Sequence, residues 1–255
     1  MLNIKNIKTI FFCIICFLFT QTVIADQVND RMTNDNYIQL TTDNKQKFTV
    51  YTVGPENAKK GILLIHGWWG LTHEVETWAN QFAVKGYRVM AVDLYENQVT
   101  KNPVTAKKLM LDVKQSVADK KYLAAIKALS KPGRKIAIIG RSYGASQALH
   151  ASLVGRKNIS AAILYYPFGK FMTDKILLSS IKAPLLIHFA RNDFFLTSEK
   201  RDSLTSAIKD AGLSITVNMY KAKHGFDNST ANNYDETSHM LALNRTYNFL
   251  KKYLH

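Results

Sequence analysis

Short apolar runs alternate with segments of helical periodicity along most of this 255-residue chain, and this alternation constrains the fold more than any other feature. Continuous apolar runs predict strands that are buried on both faces, and apolar residues at helical spacing between them predict amphipathic helices. The predicted strands are 48–53, 62–65, 89–92, 135–139, 159–165, 183–190 and 215–220, and the predicted helices are 75–83, 104–129, 145–154, 198–211 and 236–253. The pattern favours an α/β fold with a mostly parallel central sheet and helices on both faces.

The N-terminal part of the chain, before the alternating strands and helices, has a less regular hydropathy pattern. Residues 26–46 are polar and predict no regular element, and residues 48–57 predict an antiparallel hairpin at the sheet edge. No repeat or long linker divides residues 26–255, so we expect them to form a single domain.

The first 25 residues have the order of charge and hydropathy that is typical of a secretory signal peptide. Lys5 and Lys8 precede an apolar run at residues 10–19, and Ala25 ends the segment. That run is shorter than the roughly 20 residues that cross a bilayer, although an uncleaved anchor is the alternative. We therefore expect cleavage after Ala25 and a periplasmic or secreted protein with no stable membrane anchor.

Removal of this segment also changes the chemistry of the chain. Cys13 and Cys16 are the only two cysteines, and they leave together with two lysines, so the net charge falls from +15 to +13. A mature chain without a thiol has no cysteine nucleophile and no thiolate metal ligand. The positive charge could serve an acidic partner, but the lysines are dispersed and no nucleic-acid-binding motif accompanies them, so no nucleic-acid partner is expected. No metal-binding or phosphate-binding motif occurs, and no cofactor is expected.

A G-x-S-x-G sequence at residues 140–144 links the predicted strand 135–139 to the predicted helix 145–154. A serine on such a sharp turn projects its hydroxyl group out of the sheet, and the glycines remove side chains that would clash there. The N-terminus of the helix also offers a backbone N–H to an oxyanion. The context predicts that Ser142 is a nucleophile.

Asp193 and His224 each follow a further predicted strand, so the chain order is Ser142, Asp193, His224. A serine hydroxyl needs a histidine to take its proton, and a buried carboxylate must hold that histidine in the right tautomer. Functional groups gather at the carboxyl ends of parallel strands. The three residues are therefore predicted to form a catalytic triad with the chain order of α/β-hydrolases.

The first buried strand ends in His66-Gly67-Trp68-Trp69-Gly70. A turn here predicts that the backbone N–H of Trp68 joins that of Tyr143 in an oxyanion hole. His66 is interpreted as an anchor of this loop. Four further side chains are candidates for the substrate pocket: Trp69, Tyr95, Arg141 and Phe226. Arg141 could meet an anionic group of the substrate, and a structural salt bridge is the alternative.

These motifs resemble those of the dienelactone hydrolase family of α/β-hydrolases. The resemblance covers most of residues 48–253 and rests on the segments 65–71, 92–95, 106–110, 140–144, 192–193 and 224–226. It implies an α/β-hydrolase fold and a cofactor-free hydrolase that acts on a small-molecule ester or lactone.

The chain departs from the namesake enzymes at several positions. Ser142 stands where those enzymes have a cysteine, and Gly67 stands where they have a glutamate that controls the thiol. The two changes are consistent with each other, because a chain with a serine nucleophile has no thiol for the glutamate to control. Asn97 and about Asn228 stand where the namesake enzymes have substrate-binding arginines, so the resemblance does not extend to the dienelactone substrate itself.

The residues thus predict an exported serine hydrolase that cleaves carboxylic esters or lactones through an acyl-enzyme intermediate. A peptidase or amidase on the same triad and a non-catalytic ligand-binding homologue are the alternatives. The acyl group, the alcohol group and the oligomeric state are left open by the sequence.

Overall fold

The computed structural model describes residues 34–167 and 173–255. The chain divides into two units, Met1–Tyr37 and Ile38–His255. The described part of the first unit is a short turn in which the N–H of Tyr37 donates to the carbonyl of Asn34 at 2.9 Å. The predicted signal peptide, residues 1–25, lies outside the described residues.

Eight strands form one sheet. They are β1 (Tyr37–Thr41), β2 (Lys47–Val53), β3 (Lys60–Ile65), β4 (Arg88–Val92), β5 (Lys135–Arg141), β6 (Ile159–Tyr165), β7 (Leu185–Ala190) and β8 (Ile215–Tyr220). The strand order is β1-β2-β4-β3-β5-β6-β7-β8. Strands β3 to β8 run parallel to one another, and β2 pairs antiparallel with β4. The mostly parallel sheet predicted from the apolar runs is confirmed.

Within residues 34–167 and 173–255, seven α-helices connect or follow the strands. They are α1 (His73–Val84), α2 (Pro103–Asp112), α3 (Gln115–Leu129), α4 (Tyr143–Gly155), α5 (Lys175–Ser179), α6 (Ser198–Asp210) and α7 (Glu236–Tyr253). Helices α3 and α4 pack on each other and on β3, while α1 packs on β4 and α7 on β6 and β7. Alternate residues of a strand face opposite sides of a sheet, so the fully buried run 62–65 of β3 requires cover on both faces.

Three sequence predictions about secondary structure need correction. Residues 37–41, predicted to be irregular, form strand β1 at the sheet edge. Strand β2 is antiparallel as predicted, but its partner is β4 and not the next strand along the chain. The single helix predicted at 104–129 is two helices, because Val113 and Lys114 have extended backbone. This break lets Leu109 of α2 and Tyr122 of α3 both enter the core.

The topology singles out one edge of the sheet. The chain runs from β3 outward to β4, and then crosses to β5 on the other side of β3. Ligands bind in open α/β sheets at such a reversal, outside the carboxyl ends of the strands. Ile65 pairs with Gly140, so β3 and β5 end level with each other and release their loops at this crevice.

A buried histidine in strand β7 predicts acid sensitivity. His188 of β7 is fully buried, with Nδ1 2.8 Å from the Tyr220 hydroxyl and Nε2 2.9 Å from Thr246 Oγ1. Burial, with a smaller effect from Arg245, lowers the pKa of His188 to about 3. The folded chain thus holds this imidazole neutral, whereas the unfolded chain protonates it near pH 6.5. The stability that depends on the neutral ring is complete above pH 6.5 and decreases as the pH falls towards 3.

We therefore expect the free energy of unfolding to fall by about 2–3 kcal/mol between pH 6.5 and pH 4.5 through His188 alone. Urea unfolding at both pH values measures this loss. His188→Gln is expected to flatten the pH dependence, because glutamine does not titrate, whereas His73→Gln at an exposed position should leave it unchanged. An equal loss in His188→Gln and wild type contradicts the prediction.

Candidate active site

Ser142 lies in a strained turn between β5 and α4. Its backbone has φ 54° and ψ −121°, a region that L-residues rarely adopt. A Cβ at Gly140 would lie 2.0 Å from the carbonyl oxygen of Gly144, and one at Gly144 would lie 2.3 Å from that of Ile65. Both glycines of the motif are therefore required by close backbone approach. The Ser142 N–H donates to the Tyr165 carbonyl at 2.9 Å, which fixes the turn to β6.

The structure brings together the three residues predicted to form a triad. Ser142 Oγ lies 2.8 Å from His224 Nε2, and His224 Nδ1 lies 2.8 Å from Asp193 Oδ2. The Asp193 carboxylate accepts a hydrogen bond from Nδ1–H, which leaves Nε2 as the acceptor that faces the serine hydroxyl. The serine and histidine are partly exposed, whereas the carboxylate is buried. This arrangement presents a nucleophile to solvent and hides the group that orients its base.

The Asp193 carboxylate is held in one orientation by its own loop. Its second oxygen, Oδ1, accepts hydrogen bonds from the backbone N–H groups of Phe195 at 2.8 Å and Leu196 at 3.1 Å. The His224 ring is held on its sides by Tyr166, with centroids 4.5 Å apart, and by Phe195, with centroids 5.0 Å apart. Such fixed groups place the imidazole without reorganisation during a reaction.

The two backbone groups predicted for an oxyanion hole belong to the loop after β3 and to the first residue of α4. Tyr143 is the first residue of α4, so its N–H has no acceptor within the helix. The close approach of Gly144 to the end of β3 brings the loop at residues 66–70 beside the turn that carries Ser142. Trp68 stands in that loop. The placement suits two N–H donors that face the same substrate oxygen.

His66 anchors this loop, as the sequence suggested. Its Nε2 accepts the N–H of Leu94 at 3.1 Å, and its Nδ1 donates to the carbonyl of Gly67 at 2.6 Å. The ring also meets the edge of Tyr95 with centroids 4.7 Å apart. Nδ1 thus holds the loop after β3 on itself, and Nε2 ties that loop to the one after β4.

Of the predicted pocket residues, only Trp69 keeps part of its side chain exposed. Its ring lies 4.7 Å from that of Trp68. Tyr95 is buried between His66 and Tyr143, and Phe226 is fully buried between Tyr166 and Tyr220. Tyr95 and Phe226 therefore lie behind the exposed surface of the site.

Arg141 is buried in an ion-pair network. Its guanidinium pairs with Asp227 through Nε at 2.6 Å and with Glu74 through Nη1, and its central carbon lies 3.5 Å from the Trp78 ring centroid. Burial lowers the pKa of Arg141, but the carboxylates of Asp227 and Glu74 together raise it further, so the net shift is upward. The structure therefore places Arg141 in the salt bridge that was the alternative to substrate binding.

The comparisons with known proteins agree with this geometry. Residues 48–254 match the model of the dienelactone hydrolase family. The chain belongs to the dienelactone hydrolase family. Among relatives, "Protein usf" of Aquifex pyrophilus is 26% identical over 83% of this chain and 96% of its own length. The carboxymethylenebutenolidase of Pseudomonas sp. strain P51 is 28% identical over 46% of this chain and 48% of its own length.

Solved structures of the same fold include a dienelactone hydrolase-like promiscuous phosphotriesterase from metagenomic libraries. It is 17% identical, covers 85% of this chain and 97% of its own, and has a TM-score of 0.74. Membership of the dienelactone hydrolase family confirms the α/β-hydrolase fold predicted from the motifs. Membership of the family also identifies the chain as a hydrolase that acts on ester bonds.

Sequence reasoning missed several residues that support the site of this dienelactone hydrolase family member. Tyr166 donates its hydroxyl hydrogen to Asp227, and burial raises its pKa well above the usual value, so the hydroxyl stays protonated. Glu74 and Asp227 complete the pairs of Arg141. Tyr166 follows β6 directly, so its position at a strand end was a usable signal. No cluster of three metal-ligating side chains occurs within residues 34–167 and 173–255.

Proposed function

We propose that the chain is an exported serine esterase in which Ser142, His224 and Asp193 form the catalytic triad. The observation that carries the proposal is the pair of 2.8 Å contacts that joins the serine hydroxyl, both imidazole nitrogens and the aspartate. The strained backbone at Ser142 adds support, because such strain is concentrated at functional sites. The substrate class is a small-molecule carboxylic ester or lactone.

Ser142 Oγ attacks the carbonyl carbon of the ester, and His224 Nε2 takes its proton. The Asp193 carboxylate stabilises the resulting imidazolium. The backbone N–H groups of Trp68 and Tyr143 hold the negative oxygen of the tetrahedral intermediate. The intermediate collapses to an acyl-enzyme as the alcohol leaves with the proton from Nε2. Water then attacks the acyl carbon with the same histidine as base, which releases the acid and restores Ser142.

A fluorophosphonate probe tests the nucleophile. The proposal predicts one probe per folded chain, on Ser142, and no labelling of Ser142→Ala. Labelling requires the activated hydroxyl, so heat-unfolded protein serves as the negative control. Folded protein that resists the probe, or labelling that survives Ser142→Ala, would refute the proposed nucleophile.

Export is the second element of the proposal. It is supported by the charge and hydropathy order of residues 1–25, and the loss of both cysteines makes an oxidising compartment harmless. The intact mass of the unlabelled protein recovered from the expressing cells tests it separately, since a chain that begins at Asp26 is expected. Within the described ranges, no helix is long and apolar enough to cross a membrane.

A further inference from the structure

Two adjacent phenylalanines are exposed at the edge of the proposed active site. Phe194 and Phe195 follow Asp193 directly, and their side chains are 88% and 45% exposed. The two rings lie 5.6 Å apart, and the Phe195 ring contacts that of His224. A contiguous exposed apolar patch is informative in a way that a single exposed residue is not, because it marks a site of interaction.

The loop that carries these two rings is held by several hydrogen bonds to its backbone. Asp193 Oδ1 accepts the N–H groups of Phe195 and Leu196. The buried guanidinium of Arg201 donates to the carbonyls of Ala190, Arg191 and Leu196, the last at 2.8 Å. These hydrogen bonds hold the backbone of the loop in place on both sides of the two phenylalanines. The loop backbone therefore keeps both residues at the surface next to the triad.

Exposed cations lie on the two loop segments next to the rings, and the Lys200 ammonium is 3.5 Å from the carbonyl oxygen of Phe195. The loop after β7 pairs with the loop after β8, through Arg191 N–H to the Tyr220 carbonyl at 2.8 Å and Asn192 N–H to the Ala222 carbonyl at 3.0 Å. Within residues 191–200 and 220–225, all of which are described, four cations are exposed against one exposed acid, Glu199. The four cations are Arg191, Lys200, Lys221 and Lys223.

We propose that this surface docks the protein on an anionic lipid bilayer. We call it the Phe194 rim and define it as Phe194 and Phe195 with those four cations. Aromatic rings insert at the boundary between headgroups and acyl chains, and lysines and arginines bind the anionic headgroups. Because Phe195 contacts His224, docking brings the bilayer surface to the triad. The substrates are then acyl esters presented at that surface, a step that rests on the proposed esterase function.

Charge complementarity favours lipid over a second copy of the chain as the occupant. The chain carries a net charge of +15, or +13 once residues 1–25 are removed, so two copies repel each other in either form, whereas an anionic bilayer attracts the rim. The exposed rings supply the apolar contact that a purely electrostatic attraction to phosphate lacks.

Sedimentation of the full chain with vesicles tests the docking. The partition coefficient is expected to be at least about 10-fold higher on mixed phosphatidylglycerol–phosphatidylcholine vesicles than on phosphatidylcholine alone, and to fall with added salt. Phe194→Ser and the double variant Lys200→Gln/Lys221→Gln should each lower it by about 5-fold or more. Val84→Ser, which changes a side chain that is 85% exposed on α1, and Lys135→Gln, at the opposite end of the sheet, are matched controls and should not change it.

The proposal is overturned if the partition coefficient is the same on both vesicle types. It is also overturned if the rim variants and their controls lose vesicle binding to the same extent. The wild type could instead sediment without vesicles, through self-association that Phe194→Ser abolishes. That result assigns the rim to a second copy of the chain and overturns the proposal of lipid binding. Ser142→Ala separates docking from catalysis, because it should bind vesicles like the wild type. Vesicle binding by a wild type that hydrolyses neither a short soluble ester nor an acyl ester presented in the vesicles supports docking and refutes the esterase function instead.

Discussion

Replacing Asp193 with asparagine is expected to lower kcat for an activated ester by about 10⁴-fold while the fold is retained. Oδ1 of the carboxylate accepts two backbone N–H groups, from Phe195 and Leu196. An asparagine keeps both bonds only if its amide oxygen takes the Oδ1 position, so its NH₂ group then faces His224. Nδ1 becomes an acceptor and the ring proton moves to Nε2. That nitrogen can no longer take the proton of Ser142.

Initial rates with p-nitrophenyl acetate measure this effect, and thermal unfolding confirms that the variant is folded. Asp202→Asn, at an exposed position of α6, is the matched control and should retain wild-type activity. The rate of fluorophosphonate labelling should fall together with kcat, because both depend on the same base. A loss of less than about 10-fold would show that Asp193 does not set the tautomer of His224.

The strands, the nucleophile turn and the meeting of the three triad residues could be predicted from the sequence, because hydropathy patterns, glycine positions and strand ends determine them. Buried strands read as continuous apolar runs, and the turn at residues 140–144 requires glycine at two positions of close approach. The carboxyl ends of parallel strands meet at one edge, so the separate placements of Ser142, Asp193 and His224 were enough to predict that they meet.

The surroundings of the site depend on contacts that no local pattern encodes. Arg141 stands beside the nucleophile, and its position alone suited substrate binding. Its partners are Glu74 on α1 and Asp227 after β8, which are distant in sequence and come together only through the sheet topology. Phe226 likewise looks like a pocket residue beside His224, yet Tyr166 and Tyr220 enclose it. Strand β1 was missed because residues 37–41 are only partly buried and lack a clear apolar run.

Arg141 is the residue at which loss of a single charge should most reduce stability. We expect Arg141→Met to lower the free energy of unfolding by about 3–5 kcal/mol, the usual consequence of removing one partner of a buried ion pair. Methionine preserves much of the volume against Trp78. It leaves the buried carboxylate of Asp227 without its cation, and it removes the cation from the partly exposed carboxylate of Glu74 as well. The uncompensated charges, and not a cavity, dominate the loss.

Urea unfolding of a variant series separates charge from packing. The triple variant Glu74→Gln/Arg141→Met/Asp227→Asn removes all three charges, so it should recover much of the stability that Arg141→Met loses. Lys135→Met, on the same strand but exposed, should stay within about 0.5 kcal/mol of wild type. A triple variant no more stable than Arg141→Met would mean that shape, and not charge, holds the network.

Asp227 lies three residues after His224, and Arg141 directly precedes Ser142. The charge network therefore ties the base loop to the nucleophile turn, and its loss should reduce kcat together with stability.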